Sequence, residues 1–301
     1  MLDEEEAEKA RRAGRIAREV RRWAEGYVKE NMNILDICEA VEGEIKRRGG
    51  ELAFPCNIDV NEVAAHYTSP PSDEARIPPS SIVKIDLGVH VDGYIADTAT
   101  TICFNYEHMV LKQATDEALE EALKLVEAGV KVSDIGSTVQ GVIERYGLKP
   151  IRNLTGHGLG RYQIHIPGES IPNVKTLTGY RMEEGELYAI EPFATTKEGK
   201  GQVTGDGEEY IFRVVKGKLP KDREKRRLME AIRSNFRSLP FSLRGAAALS
   251  GAENFQAVFK RLVKERYIAG YEVLVEAGQQ PVAQTEHTVL VKRGGCEVTT
   301  L

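Results

Sequence analysis

The sequence contains few cysteines, and those it has are far apart. Its 301 residues include four cysteines, none in a Cys-x-x-Cys pair, which excludes a zinc ribbon and a thioredoxin-like redox motif. Long apolar runs are also absent, since segments such as 245–249 fall far short of the roughly 18 residues that a membrane helix requires. Met1 is followed by Leu-Asp-Glu-Glu-Glu, which lacks the basic start and apolar run of a secretion signal. We therefore expect a cytoplasmic protein that makes no membrane contact.

The sequence also lacks an excess of positive charge. Lysine and arginine number 41 against 46 acidic residues, a net charge of −5, which is unlike a protein whose main task is to bind nucleic acid. With 41% hydrophobic and 29% charged residues, the chain can fill a core, so disorder is excluded as its main state. Because a domain averages roughly 150 residues, the length predicts two domains, or one large α/β domain with an insertion.

Two stretches of the chain repeat the same pattern. Residues 28–49 and 126–147 align at an offset of 98 residues, with apolar residues at helical intervals around a shared Asp-Ile pair. Residues 82–86 and 187–191 are both apolar strands that end in an acid. A further similarity joins the stretch that begins at Ala96 to the stretch that begins at Gln284. These repeats predict a pseudo-symmetric α/β domain whose acids face one another across the pseudo-axis.

A segment between the last two repeated strands has no counterpart in the first half. Within it, the pattern predicts a charged helix over 221–237, a second helix over 252–267 and a strand at 271–275. That order of elements favours a small winged-helix-like module. The basic run at 221–227 is either a solvated helix face or a docking surface. The expected division is a catalytic domain and an insertion, residues 1–202 with 272–301 and residues 203–271.

Two acids lie on neighbouring strands that an Asp-Gly pair at 92–93 joins, a strong signal for a β-hairpin. If these two residues form the loop, Asp86 lies opposite Ala99. Asp97 then lies two residues from Ala99 on the same side of the sheet. The two carboxylates are diagonal neighbours, with roughly 7–8 Å between their α-carbons. This separation suits two side chains that converge on bound cations.

The second half supplies acids at matching places. If Glu191 and Glu286 are the counterparts of Asp86 and Asp97, four carboxylates point into one space. Such a cluster is unfavourable unless some of the acids take up protons or cations bind. Two divalent cations bridged by two of the acids remove the repulsion and form a known catalytic device. His157, within a glycine-rich segment, offers an imidazole that can approach such a site closely.

Five short motifs around these residues occur in order along the chain. They are Ile85-Asp86-Leu87-Gly88, Asp97-Thr98-Ala99, Gly156-His157-Gly158, Ala189-Ile190-Glu191-Pro192 and Gln284-Thr285-Glu286-His287-Thr288. Together, with the second aspartate eleven positions after the first, they resemble the methionine aminopeptidases. The segments 64–68 and 164–165 and the C-terminal insertion resemble the type 2 branch, and the short region before the first repeat is similar to its archaeal members. The resemblance implies a pita-bread fold, an α/β (α+β) architecture in which helices cover a mainly antiparallel sheet.

The resemblance also implies a set of metal ligands for two divalent ions. In it, Asp86 binds one ion and Asp97 bridges both. His157 and Glu191 hold the other ion, and Glu286 forms the second bridge. A shell of oxygens with one imidazole suits Co, Mn, Fe or Zn. By the same resemblance, a metal-bridging hydroxide attacks the substrate, and Glu191 acts as the general base.

Further site residues are implied outside this shell. His66 hydrogen-bonds the scissile amide, and His165 polarises the carbonyl oxygen. The substrate methionine occupies an apolar pocket, for which the expected residues are Phe54, Leu154, Ile164, Phe193 and Tyr271. No histidine lies between Ile166 and Thr285, so a pocket histidine that eukaryotic relatives take from the insertion is missing. Fine substrate preference is therefore open.

The activity that the resemblance implies is removal of the initiator methionine from nascent chains when a small residue follows. We expect a monomer whose partners are peptide or nascent-chain N-termini, with a transient ribosome contact and no specific nucleic acid. A proline-specific peptidase of the same fold is one alternative, but such chains carry a large additional N-terminal domain. A non-enzymatic binding protein is the other. The basic run at 221–227 favours it, whereas the five competent ligand positions do not.

Overall fold

Helices and antiparallel strands alternate along the computed structural model, which describes residues 2–250 and 254–301. The α-helices in these ranges are α1 (Glu4–Tyr27), α2 (Ile34–Arg47), α3 (Met109–Leu125), α4 (Val132–Arg145), α5 (Arg223–Phe236), α6 (Leu243–Ser250) and α7 (Phe255–Lys264). The strands in these ranges are β1 (Glu51–Val60), β2 (Val63–Ala65), β3 (Ile82–Val91), β4 (Tyr94–Cys103), β5 (Lys149–Pro150), β6 (Thr155–Leu159), β7 (Ser170–Pro172), β8 (Leu187–Ile190), β9 (Phe193–Thr195), β10 (Val203–Val214), β11 (Phe241–Ser242), β12 (Ile268–Glu276), β13 (Val282–Gln284), β14 (His287–Lys292) and β15 (Gly295–Val298).

The first helix is defined by its cap and by one apolar face. The Asp3 carboxylate accepts the Glu6 backbone N–H at 2.9 Å and the Glu6 carboxylate accepts the Asp3 N–H at 3.0 Å, so α1 begins with a capping box. Ile16 and Val20 lie on its buried face, which packs against β3 and β4. Neither this helix nor any other in the described ranges is long and apolar enough to cross a membrane.

Two halves of the chain share one arrangement of helices on sheets. Helices α2 and α4 begin and end at positions 98 residues apart, the offset found in the sequence. In the first half α1 and α2 pack on β1, β3 and β4, and in the second half α4 packs on β5 and β7. Each strand pairing in the described ranges is antiparallel. The predicted pseudo-symmetric α/β fold with a mainly antiparallel sheet is confirmed.

The strands of the described ranges form four sheets, ordered β1-β3-β4, β11-β10-β12-β2, β13-β9-β5 and β15-β14-β8-β6-β7. The two halves meet where Ala99 of β4 bridges Glu286, just before β14. Each half has its own apolar core. Ile37 and Ile85 lie in the core of the first half, and Val139 lies in that of the second. The joint between the halves therefore carries polar residues while the cores on either side stay apolar.

A helical segment interrupts the second half. β10 and β12 form an antiparallel ribbon, and the chain between them folds into α5, β11, α6 and α7. These helices share a core in which Phe212, Leu228 and Phe259 are buried. β12 also pairs with β2, Leu274 opposite Ala65, which attaches this sheet to the first half. β12 runs across residue 271, so it joins the proposed insertion to the proposed catalytic domain.

The structure shortens both helices that the sequence predicts for this segment and adds a third. The helix expected over 221–237 occupies Arg223–Phe236. The helix expected over 252–267 is α7, Phe255–Lys264, and its predicted start lies outside the described residues. Helix α6, Leu243–Ser250, has no counterpart in the prediction. Its eight residues are too few and too rich in small side chains to show a helical period.

Candidate metal centre

A β-hairpin delivers the first two acids. β3 and β4 are joined by the two-residue loop at 92–93, and Asp86 lies opposite Ala99, as the sequence predicts. Asp97 lies opposite Gly88, two residues along, so both carboxylates project from one face of the hairpin. Asp97 is almost completely buried. One carboxylate oxygen of each aspartate is buried without a hydrogen-bond partner in the described ranges.

Strands of the second half deliver the other two acids and the histidine. Glu191 directly follows β8, and Glu286 lies between β13 and β14. His157 lies in β6, opposite Ala189 of β8. The Glu286 backbone N–H donates to the Ala99 carbonyl at 3.1 Å. This acid of the second half is therefore anchored on the hairpin of the first.

The site concentrates negative charge in a buried space. Burial raises the pKa of Asp97 to about 8. Burial, with the neighbouring carboxylates, raises the pKa of Asp86, Glu191 and Glu286 well above the usual values. Burial also lowers the pKa of His157 well below its usual value, so the ring is neutral. The acids must therefore bind either protons or cations, and the neutral imidazole is ready to act as a ligand.

The donor atoms fit divalent cations. One ligand atom each of Asp97, His157 and Glu286 lies within 4.8 Å of the others. His157 Nε2 lies 3.6 Å from Asp97 Oδ2 and 3.6 Å from Glu191 Oε1, which is too long for hydrogen bonds. Ligand atoms that share one ion at roughly 2.0–2.2 Å are separated by such distances. The partnerless oxygens of Asp86 and Asp97 are those that a cation would satisfy.

Threonine hydroxyls hold the backbone of two acids. Thr288 Oγ1 accepts the Asp97 N–H at 2.7 Å and donates to the Asp97 carbonyl at 2.8 Å. Thr98 Oγ1 donates to the Glu286 carbonyl at 2.8 Å. Each threonine therefore lies in one half and fixes an acid of the other. The joint between β4 and β14 sets the relative position of both carboxylates.

Gln284 and Asn57 lie at the site, although the sequence predicts no role for either. Gln284 Nε2 donates to Glu191 Oε2 at 3.3 Å and lies 3.5 Å from Glu286 Oε2. Asn57 lies opposite Asp86 in the β1–β3 register, lines the cleft, and has a buried Oδ1 without a partner in the described ranges. Strand alternation places residue 284 on the side of residue 286 and could have revealed Gln284. The register of β1 is irregular before Asn57, so strand alternation does not predict that Asn57 faces the site.

A buried arginine lies behind the acids. Arg21 of α1 donates from Nη1 to Thr98 Oγ1 at 2.5 Å and to His287 Nδ1 at 2.9 Å. His287 Nδ1 also lies 2.8 Å from Thr300 Oγ1. The His287 side chain thus points away from the acids, as strand alternation predicts. Because Thr98 and His287 each follow one of the acids, α1 and the C-terminal residues brace both.

The acids lie in a cleft with a volume of about 330 Å³. One wall of the cleft is apolar, and Ile164 and Phe193 in that wall are buried. The cleft brings together every residue that the sequence predicts for the site. These are Phe54, His66, Asp86, Asp97, Leu154, His157, Ile164, His165, Glu191, Phe193, Tyr271 and Glu286.

Two histidines and a tyrosine flank the cleft beside the acids. His66 Nδ1 lies 3.1 Å from the Glu272 carbonyl oxygen. A carbonyl only accepts, so Nδ1 carries the proton and Nε2 is left as an acceptor. The Tyr271 ring lies 5.5 Å from the His66 ring and 6.4 Å from the His165 ring, which lies 4.3 Å from the His157 ring. Burial lowers the pKa of His66, and that of His165 to about 4, so both are neutral at pH 7.

Most of the chain matches one family model, described as metallopeptidase family M24, over residues 8–293. The chain belongs to metallopeptidase family M24. A methionine aminopeptidase of Methanothermobacter thermautotrophicus is 42% identical to this M24 enzyme over 292 residues, which cover 96% of this chain and 97% of the relative. A methionine aminopeptidase of Thermococcus onnurineus is 40% identical over 300 residues, which cover 99% and 100%. The resemblance seen in the motifs is confirmed.

Solved structures share the fold of this M24 member. A thermophilic Arx1 has a TM-score of 0.84 at 19% identity, covering 99% of this chain and 91% of the other. The methionine aminopeptidase of Rickettsia prowazekii has a TM-score of 0.71 at 22% identity, covering 100% and 99%. The prolidase of Pyrococcus furiosus has a TM-score of 0.63 at 18% identity, and this chain covers 65% of it. At these identities the likeness shows the fold alone, which agrees with the expected pita-bread architecture.

Proposed function

We propose that this M24 enzyme removes the N-terminal methionine from proteins whose second residue is small. The observation that carries the proposal is a buried cluster of four acids and one neutral imidazole that lines the same cleft as an apolar wall. An apolar, adaptable wall suits the flexible thioether side chain of methionine. The relatives named methionine aminopeptidase match the chain over nearly their whole length, which supports the same reading.

The five clustered groups are the proposed ligands of two divalent cations. Asp86 would help to hold one ion and His157 and Glu191 the other, and Asp97 and Glu286 would supply oxygens to the pair. Divalent cations bound in such a shell lower the pKa of water and polarise a carbonyl oxygen. Co, Mn, Fe and Zn all accept oxygens with one imidazole nitrogen. Glu191, whose pKa burial raises, is proposed to take up the proton of the attacking water and pass it on.

His66 is proposed to position the peptide bond that is cleaved. Its Nδ1–H is engaged by the Glu272 carbonyl, so Nε2 accepts the N–H of the scissile amide. The residue has a left-handed backbone conformation with φ 71°, which needs support on both sides. β2 ends just before it and pairs with β12, and the next residue, Tyr67, donates its N–H to Asp59 Oδ1 at 2.8 Å. The imidazole is therefore held in one orientation.

His165 is proposed to stabilise the oxygen of the scissile carbonyl. Burial, with the charges of His66 and Arg213, lowers its pKa to about 4, so the ring is neutral at neutral pH. A neutral imidazole still carries one N–H. That group can donate to the carbonyl oxygen and binds more strongly as negative charge develops there.

The methionine side chain is proposed to occupy the apolar wall of the cleft. The residues of this pocket are Phe54, Leu154, Ile164, Phe193 and Tyr271. Phe54 lies directly on Gly88, where a Cβ would come within 2.2 Å of the ring, so the aromatic ring is fixed against the hairpin. His66 and His165 line the same cleft next to the pocket. We therefore expect only a small residue to fit after the methionine.

Hydrolysis of short peptides by the metal-loaded protein tests this function. Met-Ala-Ser should release methionine, whereas Met-Leu-Ser, Ala-Pro and Gly-Pro should be poor substrates. EDTA should abolish the activity, and Mn or Co should restore it. Preference for the proline dipeptides would identify a proline-specific peptidase instead. Failure to hydrolyse any peptide would favour a binding protein that retains the fold.

We also propose a cytoplasmic monomer that acts on peptide and nascent-chain N-termini. A transient ribosome contact is proposed through the basic run at 221–227, because ribosomal RNA presents many phosphates to such a surface. The chain as a whole has a net charge of −5, which opposes stable nucleic-acid binding. Gel filtration should give a mass of one chain, and co-sedimentation with ribosomes should be weak and salt-sensitive.

A further inference from the structure

Arg213, on the proposed insertion, lies beside Tyr271, which lines the cleft. Side chains alternate along β10, and Phe212 and Val214 pack into the core of the helical segment. Ile211 and Arg213 therefore face the opposite side of the strand, and Ile211 lines the cleft. Arg213 is exposed, with its Cζ 5.8 Å from the centre of the Tyr271 ring. The proposed insertion thus places an exposed guanidinium beside a residue that lines the site.

This guanidinium has no anionic partner within the described residues. It lies over the ring of Tyr271 instead. Tyr271 in turn lies against both His66 and His165. The positive charge is near enough to contribute to the lowered pKa of His165. An unpaired cation therefore lies one aromatic ring away from the two histidines that flank the proposed scissile bond.

We propose that Arg213 is a specificity-determining residue that favours an acidic side chain in the substrate downstream of the cleaved bond. The inference rests on the proposed function, because it requires a peptide bond held between His66 and His165. Methionine fills the apolar pocket, of which Tyr271 is a half-buried member that lies beside Arg213, so the rest of the peptide leaves past Tyr271. An extended chain advances roughly 3.3 Å per residue. The guanidinium is then within reach of about the second to fourth residue after the bond.

Glu169 brings the opposite charge to the same cleft. It lines the cleft and lies over Gly158, where a Cβ would come within 2.0 Å of Glu169 Oε2. Its carboxylate has no cationic partner in the described part of the chain. Burial and then Glu186 and Glu183 raise its pKa. Glu169 favours basic side chains, so Arg213 and Glu169 predict opposite preferences for one set of peptides.

The test compares kcat/KM of the Mn-loaded protein on Met-Ala peptides that carry Asp, Asn or Lys at the second, third or fourth residue after the bond. At the best position the wild type should prefer Asp over Lys about two- to five-fold, the range of an exposed ion pair. Added salt should reduce this preference. Arg213→Met should remove it, and Arg213→Glu should reverse it. Arg223→Met removes the same charge from the exposed start of α5 and should keep the wild-type preference.

Equal kcat/KM for the Asp and Lys peptides in the wild type would overturn the proposal. A preference for Asp that persists in Arg213→Met would overturn it as well. So would a preference for Lys in the wild type that disappears in Glu169→Gln, because Glu169 and not Arg213 would then read the charge. The proposed function fails in a different way. In that case no methionyl peptide is cleaved, whatever its charge, and this proposal is refuted with it.

Discussion

At the scale of single residues, the position of one ring proton decides which nitrogen of His66 can accept a hydrogen bond. The Glu272 carbonyl fixes the proton on Nδ1, and burial keeps the ring neutral. Nε2 is therefore an acceptor aimed at the cleft. Asp59 helps to hold the adjoining backbone. It is itself buried opposite Lys84, and burial raises the pKa of Asp59 to about 7 and lowers that of Lys84 to about 7.

Replacing His66 with alanine should separate catalysis from metal binding. We expect kcat/KM on Met-Ala-Ser to fall by about 10²- to 10⁴-fold, the range for loss of a positioned proton donor or acceptor. Metal content, measured by mass spectrometry of the purified protein, should stay that of the wild type, because His66 is not among the proposed ligands. His108→Ala, outside the cleft lining, is the control. Loss of metal together with activity would contradict the assignment.

At the scale of elements, α1 supports the site from behind through Arg21. Its two hydrogen bonds reach residues that follow Asp97 and Glu286. Arg21→Met leaves the buried Thr98 Oγ1 without its arginine donor and leaves His287 Nδ1 with Thr300 Oγ1 as its remaining partner. We expect a loss of about 2–3 kcal/mol in the free energy of unfolding, measured in urea, together with weaker Mn binding by calorimetry. Arg22→Met, at the exposed neighbouring position, should change neither. An unchanged Mn affinity in Arg21→Met would rule out the bracing role.

Replacing Gly14 of the same helix with alanine should change stability in an unusual direction. A Cβ there would lie 2.2 Å from the Thr299 carbonyl oxygen, so the C-terminal residues would have to shift. Gly14→Ala should therefore lower the unfolding free energy by about 1–3 kcal/mol, despite the better helix propensity of alanine. Gly43→Ala in α2 meets no atom within 4 Å in the described residues outside its own stretch of helix and should raise the unfolding free energy by up to about 1 kcal/mol. Equal effects of the two substitutions in thermal denaturation would refute this close approach.

Local patterns predict some elements and miss others for identifiable reasons. The Asp-Gly loop fixes the hairpin register, so Asp86 opposite Ala99 follows from the sequence. The offset of 98 residues likewise predicts α4 from α2. Arg21 leaves no such trace, because its partners lie 77 and 266 residues away and α1 looks like any charged amphipathic helix. Asn57 is hidden for a related reason, since the irregular register of β1 breaks the alternation on which prediction depends.

At the scale of the whole molecule, the acidic cluster links stability to pH. A carboxyl with a higher pKa in the folded than in the unfolded state makes folding less favourable as the pH rises between the two values. For Asp97 these are about 4 unfolded and about 8 folded, and the other three acids change in the same direction. Lys84, whose pKa is lowered to about 7, has the opposite effect on stability as the pH rises, but it exchanges only one proton. The histidines whose pKa is lowered change the pH dependence of stability only below pH 7.

Scanning calorimetry in EDTA should therefore show a Tm that falls between pH 7 and 8.5. Saturating Mn should remove or reverse this trend, because cations bind the deprotonated ligands. Asp97→Asn should flatten the slope of the metal-free protein and lower the stabilisation by Mn. The exposed loop substitution Asp92→Asn should leave both unchanged. A metal-free Tm that does not depend on pH in this range would contradict the charge distribution.

The joint at Ala99 and Glu286 has an evolutionary corollary. Asp86 and Asp97 come from one repeat, while His157, Glu191 and Glu286 come from the other, so neither repeat alone encloses a cation. A single repeat could complete such an enclosure only beside a second copy of itself, facing it across a two-fold axis. Duplication and fusion of a small symmetric dimer would then yield this architecture directly. The residues of the two ligand sets would afterwards be free to diverge within one gene.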